Sequence, residues 1–176
     1  LLRMASGAKF VENYSGHDDA ARFATTLFND GIVSAIATIT EREAPQGSRF
    51  SYFTAQTQAL SAVLQAATGS SVSDYLATRL WQPIGAETSA LWWADKHGVT
   101  VGGSAFNATL RDYGRLGIVL ANDGVRPDDA NRRAIIPRDY LLDATDWHRA
   151  DAPFRPGYDR RYYGYGYQFW LFPGER

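Results

Sequence analysis

Cysteine is absent from this chain, and lysine is nearly so. The absence of cysteine excludes disulfide bonds, thiolate metal sites and a cysteine nucleophile. Among the 18 basic residues only Lys9 and Lys96 are lysines, which sharply limits any mechanism that needs a lysine base. A cysteine-free chain is compatible with the cytoplasm and with the periplasm, so the compartment stays open.

Charge and hydropathy exclude further classes of partner. A net charge of −1 provides no basic stripe for a phosphate backbone, so nucleic acid is not an expected partner. No apolar run approaches the ~20 residues of a membrane-spanning helix, so no membrane span is expected.

His17, His97 and His148 are too scattered to form a His-x-x-x-His pair, so neither a metal site nor a cofactor is expected.

What is present is typical of a globular protein. The 176 residues are 45% apolar and 14% aromatic, enough for one compact domain with a core. No signal peptide begins at Leu1, and Arg176 directly follows an aromatic, strand-like run. We therefore expect residues 1–176 to be a single piece of a larger protein.

The hydrophobic pattern of the first half predicts two helices. Asp18 or Asp19 is placed to cap the first, which runs through Leu27. Residues 53–67 predict the second, with Gly69 as its end. Its inward stripe is predicted to be Ala59, Leu60, Val63, Leu64 and Ala67. Residues 32–39, between the two, are compatible with a strand or a short helix.

Helices and short extended segments alternate in the second half. Ser71 and Asp74 predict a capping box, and Asn107 predicts the cap of a later helix. The inward face of that later helix is predicted to be Leu110, Tyr113, Leu116 and Leu120. Gly102-Gly103 interrupts an extended stretch where the backbone can closely approach a ligand or another strand. Residues 162–172 alternate aromatic residues with glycines, which predicts a strand.

The chemically most suggestive residue is Tyr52. A short extended segment brings it to the start of the helix predicted over residues 53–67. A tyrosine held at such a junction can transfer protons. On composition alone, an aromatic side chain packed at a helix start is the favoured explanation.

Four local patterns occur in a fixed order over nearly the whole chain. They are L-L-R-M-A-S-G at 1–7, F-S-Y through T-G at 50–69, Y-L and L-W-Q-P-I-G within 75–85, and G-G, A-T-L-R-D-Y-G-R and N-D-G within 102–124. In this order they resemble the serine β-lactamase and penicillin-binding-protein family. The resemblance is to its branch of class C β-lactamases, esterases and 6-aminohexanoate-dimer hydrolases.

The resemblance implies an α+β, β-lactamase/transpeptidase-like fold, of which this chain supplies mainly the helical region with a few strands. It implies that the nucleophile segment lies before Leu1 and that the C-terminal sheet strands lie after Arg176. The activity it implies is that of a serine hydrolase acting on an ester or small amide through an acyl-serine intermediate. Tyr52 would belong to the proton relay, while the serine and lysine come from a Ser-x-x-Lys motif outside the chain. The expected partners are therefore a small-molecule substrate and the missing segments of the same protein, and the isolated chain is expected to be inactive.

Substrate contacts are implied at four further positions. Thr54 stands where the family usually has Asn, and it keeps a hydroxyl but lacks the amide. Asp18 or Asp19, in the first loop, is a candidate to meet a substrate amine, as in the amide-hydrolase branch. Trp92 and Trp93 alternate faces on an extended segment, so one ring is expected in the core and the other in a substrate cleft.

Two short sequences in the chain are similar to catalytic motifs of the family. Ser6-Gly7-Ala8-Lys9 is a Ser-x-x-Lys sequence, but Gly7 disfavours the helical turn that would bring the lysine beneath the serine. Lys96-His97-Gly98 resembles Lys-Thr-Gly, but it precedes the Gly102-Gly103 block instead of following it. Neither is expected to be catalytic.

Two other classes of function stay open. One is a non-catalytic relative that binds cell-wall peptide or another ligand in the same cleft. The other is an aromatic-lined carbohydrate-binding domain, suggested by Trp92, Trp93 and the tyrosines at 162, 163, 165 and 167.

Overall fold

The computed structural model of the chain describes residues 1–174. Within them the helices are α1 (Asp19–Asp30), α2 (Ile32–Ala37), α3 (Thr54–Thr68), α4 (Val72–Leu76), α5 (Leu110–Ala121) and α6 (Arg138–Thr145). The strands are β1 (Leu91–Trp92), β2 (Phe106–Asn107), β3 (Gly164–Tyr165) and β4 (Trp170–Leu171). A π-helical turn spans Ala77–Trp81, and 3-10 turns span Ala152–Phe154 and Tyr158–Arg160. The predominance of helix over short strands agrees with the predicted fold class.

The strands form two antiparallel pairs. Leu91 is opposite Asn107 and Trp92 is opposite Phe106 in the first pair. The second pair, β3 with β4, is a hairpin within the segment that the sequence predicted as one strand. That prediction was wrong because the chain reverses between Gly166 and Phe169, with Gln168 in the left-handed region at φ 65°. No helix among residues 1–174 combines the length and the apolar character needed to cross a membrane.

Helices α1, α2 and α3 enclose the core that supports the site. Asp18 caps α1 as predicted, by accepting a hydrogen bond from the Ala21 backbone N–H at 3.0 Å. The ambiguous segment after Gly31 is helical, as α2. The buried members of this core are Phe23, Leu27, Ile32, Ala35, Phe53, Ala55 and Val101.

The buried face of α3 differs from the predicted one. Val63 of the predicted apolar stripe is 56% exposed, whereas Gln56 and Gln58 are buried. Gln56 accepts from the Ser6 N–H at 3.0 Å and donates to the Ser51 carbonyl at 2.8 Å. The predicted stripe was wrong because backbone partners satisfy these amides, and periodicity of apolar residues cannot detect such partners.

Helix α5 also has a different N-cap residue and a different buried face from those predicted. Thr109, rather than Asn107, is its N-cap, accepting from the Asp112 N–H. Leu110 is 88% exposed, while Asp112 is fully buried. The predicted inward face was wrong because a hydrogen-bonded carboxylate, rather than an apolar residue, fixes the rotation of this helix. The Ser71–Asp74 capping box, by contrast, is confirmed, with the Ser71 hydroxyl accepting from the Asp74 N–H at 3.0 Å.

Candidate functional site

Tyr52 lies in an extended segment that leads directly into α3. The next residue, Phe53, is the N-cap of α3, with φ −158° and ψ 140°. Neighbouring side chains of an extended segment point in opposite directions. Phe53 is therefore buried and stacks on Phe10 with ring centroids 4.7 Å apart, while Tyr52 points outward and is 42% exposed.

An aromatic wall from the β3–β4 hairpin holds the Tyr52 ring. Trp170 stacks on it at a centroid distance of 5.3 Å and an interplanar angle of 27°. Tyr165 meets the same ring edge-on at 6.1 Å. Burial raises the pKa of Tyr165 to about 12, so this neighbour stays neutral at physiological pH. The wall fixes the orientation of Tyr52 but leaves part of its surface open.

Glu12 binds the first residue of α3. Its carboxylate accepts from the Thr54 backbone N–H at 2.6 Å and from the Thr54 hydroxyl at 2.7 Å. It also accepts from the Tyr14 hydroxyl at 2.9 Å. This hydrogen bond to Glu12 is the main cause that raises the pKa of Tyr14, with Tyr52 as a smaller electrostatic cause. The loop around residue 12 is thereby fixed to the helix that follows Tyr52.

Sequence reasoning missed Glu12. The N-cap of α3 is a phenylalanine, which has no side-chain acceptor for the first N–H groups of the helix. That lack was a signal that an acceptor must come from elsewhere. It could not identify Glu12, which lies 42 positions away in sequence.

Asp18 is a structural carboxylate in this geometry. It is only 6% exposed and accepts from the backbone N–H groups of Asn13 and Tyr14, both at 2.7 Å. These contacts add to the helix-capping bond from Ala21, which is the largest cause of the lowered pKa of Asp18. The carboxylate thus fixes the loop that carries Glu12 and Tyr14. Contact of Asp18 with a substrate amine stays a prediction.

Trp92 and Trp93 point to different surroundings, as the alternation predicted. The Trp92 ring N–H donates to the Val101 carbonyl at 2.8 Å and to the Ser104 carbonyl at 2.9 Å. Its ring also packs edge-on against Phe106 at 5.0 Å. Trp93 is 60% exposed. Trp92 therefore orders the 101–104 loop, and a substrate contact by either ring stays a prediction.

The close approach predicted at Gly102-Gly103 is present, but its partner is helix α3 rather than a ligand or another strand. A Cβ atom on Gly102 would lie 1.5 Å from the Ser61 hydroxyl oxygen, and one on Gly103 would lie 2.8 Å from the Thr54 side chain. The loop can therefore lie directly against the first turns of α3.

Asp18, Thr54 and Trp93 line one cavity of about 450 Å³, which we call the α1 cavity. Its walls come from α1, the segment around residues 10–18, the start of α3 and the 101–104 loop. Tyr52 is two residues before the wall residue Thr54 and is not part of the wall. Trp92 lines a different depression beside Trp81. The structure thus brings three of the five predicted site residues together.

Comparison with known proteins identifies the family. The Beta-lactamase family model matches residues 1–175. The chain belongs to the beta-lactamase family. Among curated proteins none matches it.

Several solved structures have a fold similar to that of this beta-lactamase-family chain. A Bacillus anthracis protein assigned as a 6-aminohexanoate-dimer hydrolase superposes with a TM-score of 0.80 at 22% identity, over 99% of this chain and 46% of its own. A penicillin-binding protein from Bacillus halodurans gives 0.59 at 17% identity, over 96% and 55%. The octameric penicillin-binding protein homologue from Pyrococcus abyssi gives 0.63 at 17% identity, over 98% and 42%.

These structural matches confirm the β-lactamase/transpeptidase-like fold. The identities are too low to carry anything beyond the fold. The chain spans about half the length of the solved chains it matches.

The Ser-x-x-Lys sequence at 6–9 and the Lys-His-Gly sequence at 96–98 lack catalytic geometry in this beta-lactamase-family chain. Gly7 is left-handed at φ 76°, and the Lys9 ammonium donates to Glu41 at 2.7 Å, so no helical turn places Lys9 beneath Ser6. Lys96 donates to the carbonyl of Asn29. Among residues 1–174, no group of three or more His, Asp or Glu side chains could hold a metal ion.

Proposed function

We propose that this chain is the tyrosine-bearing part of a serine hydrolase that cleaves an ester or a small amide through an acyl-serine intermediate. The observation that carries the proposal is the presentation of Tyr52. It precedes α3, is held by Trp170 and Tyr165, is partly exposed, and lies two residues before Thr54, which lines a cavity. The serine and the lysine of the mechanism come from a Ser-x-x-Lys motif outside residues 1–176.

The reaction proceeds in two steps. The serine oxygen attacks the substrate carbonyl carbon, and its proton passes through the lysine and Tyr52 to the leaving alcohol or amine as the carbon–leaving-group bond breaks. Water then attacks the acyl-serine, and its proton returns to the serine oxygen as the acid is released. A phenol suits this relay because it both accepts and donates a proton. The part played by Trp170 and Tyr165 is to hold the ring in one orientation.

One structural neighbour and one cavity support a small amide or ester as the substrate. The Bacillus anthracis protein is assigned to the hydrolysis of 6-aminohexanoate dimers, which are amides. The α1 cavity offers a volume within the ~300–1,000 Å³ usual for small-molecule sites.

A non-catalytic ligand-binding relative is the competing function. It is favoured by the neighbours that are named as penicillin-binding proteins. Such a protein would bind its ligand in the same cleft without forming an acyl-serine.

The test uses the full-length protein that contains this chain. We expect labelling by a fluorophosphonate and saturable hydrolysis of p-nitrophenyl butyrate. Tyr52→Phe should lower kcat by about 10²–10⁴-fold, the range for loss of a proton-transfer group. Tyr158→Phe is the matched control, because Tyr158 is 40% exposed and is not among the described rings that contact Tyr52. Equal activity of Tyr52→Phe and the unaltered protein would overturn the role of Tyr52, and the absence of both labelling and hydrolysis would favour the binding protein.

A further inference from the structure

A further depression lies between the end of α4 and the loop that follows α5. We call it the arginine depression, after Arg79, Arg126 and Arg133 in its walls. Its volume is about 740 Å³, within the ~300–1,000 Å³ usual for small-molecule sites. One wall comes from residues 75–83 and the other from residues 126–135. None of its described lining residues also lines the α1 cavity.

Positive charge predominates in the arginine depression. The three arginines share its walls with Asp128 and Asp129, and no lysine, histidine or glutamate is among the described lining residues. Guanidinium groups stay protonated, and aspartates are ionised at neutral pH. Three positive and two negative charges leave the lining with a net charge of +1. The lining therefore favours a negatively charged ligand.

The two aspartates already accept hydrogen bonds within their own loop. Asp128 accepts from the Arg126 Nε–H at 2.9 Å and, through its second oxygen, from a terminal nitrogen of the same guanidinium. Asp129 accepts from the Asn131 N–H at 2.9 Å. Its other oxygen accepts from the backbone N–H and the Nε–H of Arg133, both at 3.3 Å. Every carboxylate oxygen in the depression therefore has a donor.

The arginines, in contrast, keep unused donors. A guanidinium carries five N–H donors. Within residues 1–174 the Arg79 side chain makes no hydrogen bond or ion pair, and its guanidinium carbon lies 5.9 Å from the centre of the Tyr75 ring. In the same part of the chain, the Arg133 side chain donates only through Nε, so both of its terminal nitrogens are available. The depression thus offers more donors than its own carboxylates accept.

We propose that the arginine depression binds a small molecule that carries at least two phosphate or carboxylate groups. Planar guanidinium groups bind the oxygens of such groups through paired hydrogen bonds. Arg79 stands on one wall and Arg133 on the other, so a ligand with two anionic groups can contact both. The net charge of −1 of the whole chain disfavours a nucleic acid, so the ligand is a small molecule. This inference does not rest on the proposed function, because no step of it uses Tyr52 or a serine.

Titration calorimetry of the full-length protein with pyrophosphate and with citrate tests the site and identifies the anionic group. At least one of the two should bind saturably, with one molecule per chain. Inorganic phosphate and acetate, which carry one anionic group each, should bind about tenfold more weakly, because fewer hydrogen bonds to a charged group form. Raising NaCl from about 20 to about 200 mM should weaken the binding, because salt screens exposed charges.

The outcomes of this titration are distinct. Binding of pyrophosphate alone supports the site and identifies a phosphate ligand, and binding of citrate alone supports it and identifies a carboxylate ligand. Absence of saturable binding of both anions would overturn the inference. Equally tight binding of inorganic phosphate or acetate would overturn it too, since two anionic groups would then gain nothing.

Three variants of the full-length protein locate the binding. Arg79→Gln removes a guanidinium of the depression and should weaken binding about tenfold. Arg111→Gln is the matched control and should leave the affinity unchanged, because Arg111 is exposed and is not among the described lining residues. Asp128→Asn removes a negative charge and releases Arg126, so it should tighten binding about two- to fivefold, the range for exposed charge pairs.

The variants are compared after thermal unfolding has shown that each is folded. Equal affinities of Arg79→Gln and Arg111→Gln would overturn the assignment to the arginine depression. Binding by Asp128→Asn that is no tighter than that of the unaltered protein would also contradict it, because a purely structural role of these residues predicts no gain in affinity.

Discussion

Glu12 accepts hydrogen bonds from both the backbone N–H and the hydroxyl of Thr54, at 2.6 and 2.7 Å. The pair joins the loop before α1 to the first residue of α3, two positions after Tyr52. The Glu12 carboxylate supplies a side-chain acceptor for the first N–H group of α3, which the N-cap residue Phe53 lacks. The orientation of the α3 start, and with it that of Tyr52, therefore depends on a residue far away in sequence.

Glu12→Ala should lower the free energy of unfolding by about 1–2 kcal/mol, the usual cost of losing a helix cap. Glu12→Gln should cost less, because an amide oxygen still accepts from the Thr54 N–H. Urea denaturation gives both values. Glu41→Ala, which breaks the exposed pair with Lys9, is the control and should change stability by at most ~1 kcal/mol. An equal loss in Glu12→Ala and Glu41→Ala would show that Glu12 does not act as a cap.

Gly102→Ala should destabilise the protein by about 1–3 kcal/mol, the range for overpacking. The added Cβ would lie 1.5 Å from the hydroxyl oxygen of Ser61, which is buried on α3. Gly114→Ala is the matched control, because a Cβ there has no atom outside its own helix within 4 Å. That substitution should instead stabilise α5 by roughly 0.5–1 kcal/mol. Chemical denaturation should therefore give changes of opposite sign, and a stable Gly102→Ala would refute the close packing.

The parts of the site that the sequence predicted are local. Tyr52 at the start of α3, the Asp18 cap and the tight Gly102-Gly103 approach each follow from residue types within a few positions of one another. Such short-range signals do not depend on how the helices pack. These signals were sufficient to predict the family and the fold class.

The parts that the sequence did not predict depend on distant partners. The amide of Gln56 is buried because the Ser6 backbone lies beside it, 50 positions away. The α1 cavity arises where the loop of Glu12, α1 and Trp93 meet. Apolar periodicity assigns polar residues to the surface, so it placed α3 and α5 with the wrong faces inward.

Asp112→Asn should lower Tm on the order of 10 °C, because it breaks a charged network centred on a fully buried carboxylate. Asp112 accepts from the Thr88 hydroxyl, from the Glu87 backbone N–H at 2.9 Å and from Arg115 at 2.7 Å. An asparagine would turn one acceptor into a donor that faces these donors. Asp139→Asn, at a side chain that is 90% exposed, is the control and should leave Tm nearly unchanged. A Tm of Asp112→Asn within 2–3 °C of the control would contradict the role of the network.

The same carboxylate should contribute to acid sensitivity. The Thr88 hydroxyl and then the Glu87 N–H hold the pKa of Asp112 well below its ordinary value in the folded state. Its stabilisation is therefore present above the unfolded-state pKa of about 3.9 and is lost as the pH falls towards the lower folded-state value. Urea midpoints at pH 6 and pH 3 should differ less in Asp112→Asn than in the unaltered chain. An unchanged difference would show that other carboxylates dominate.

Tyr165 should make the protein sensitive to alkali. Burial raises the pKa of this phenol to about 12 in the folded state, whereas the unfolded chain ionises near pH 10. The stabilisation by the neutral phenol is therefore complete below pH 10 and is lost as the pH rises from about 10 to 12, since only the unfolded state releases its proton. Tyr165→Phe removes the titrating group and keeps the ring that packs against Tyr52 and Trp170. We expect urea midpoints at pH 8 and pH 11 to differ less in Tyr165→Phe than in the unaltered chain. Tyr158→Phe, at an exposed tyrosine, should behave like the unaltered chain, and an identical alkaline loss in all three proteins would contradict the burial of the Tyr165 hydroxyl.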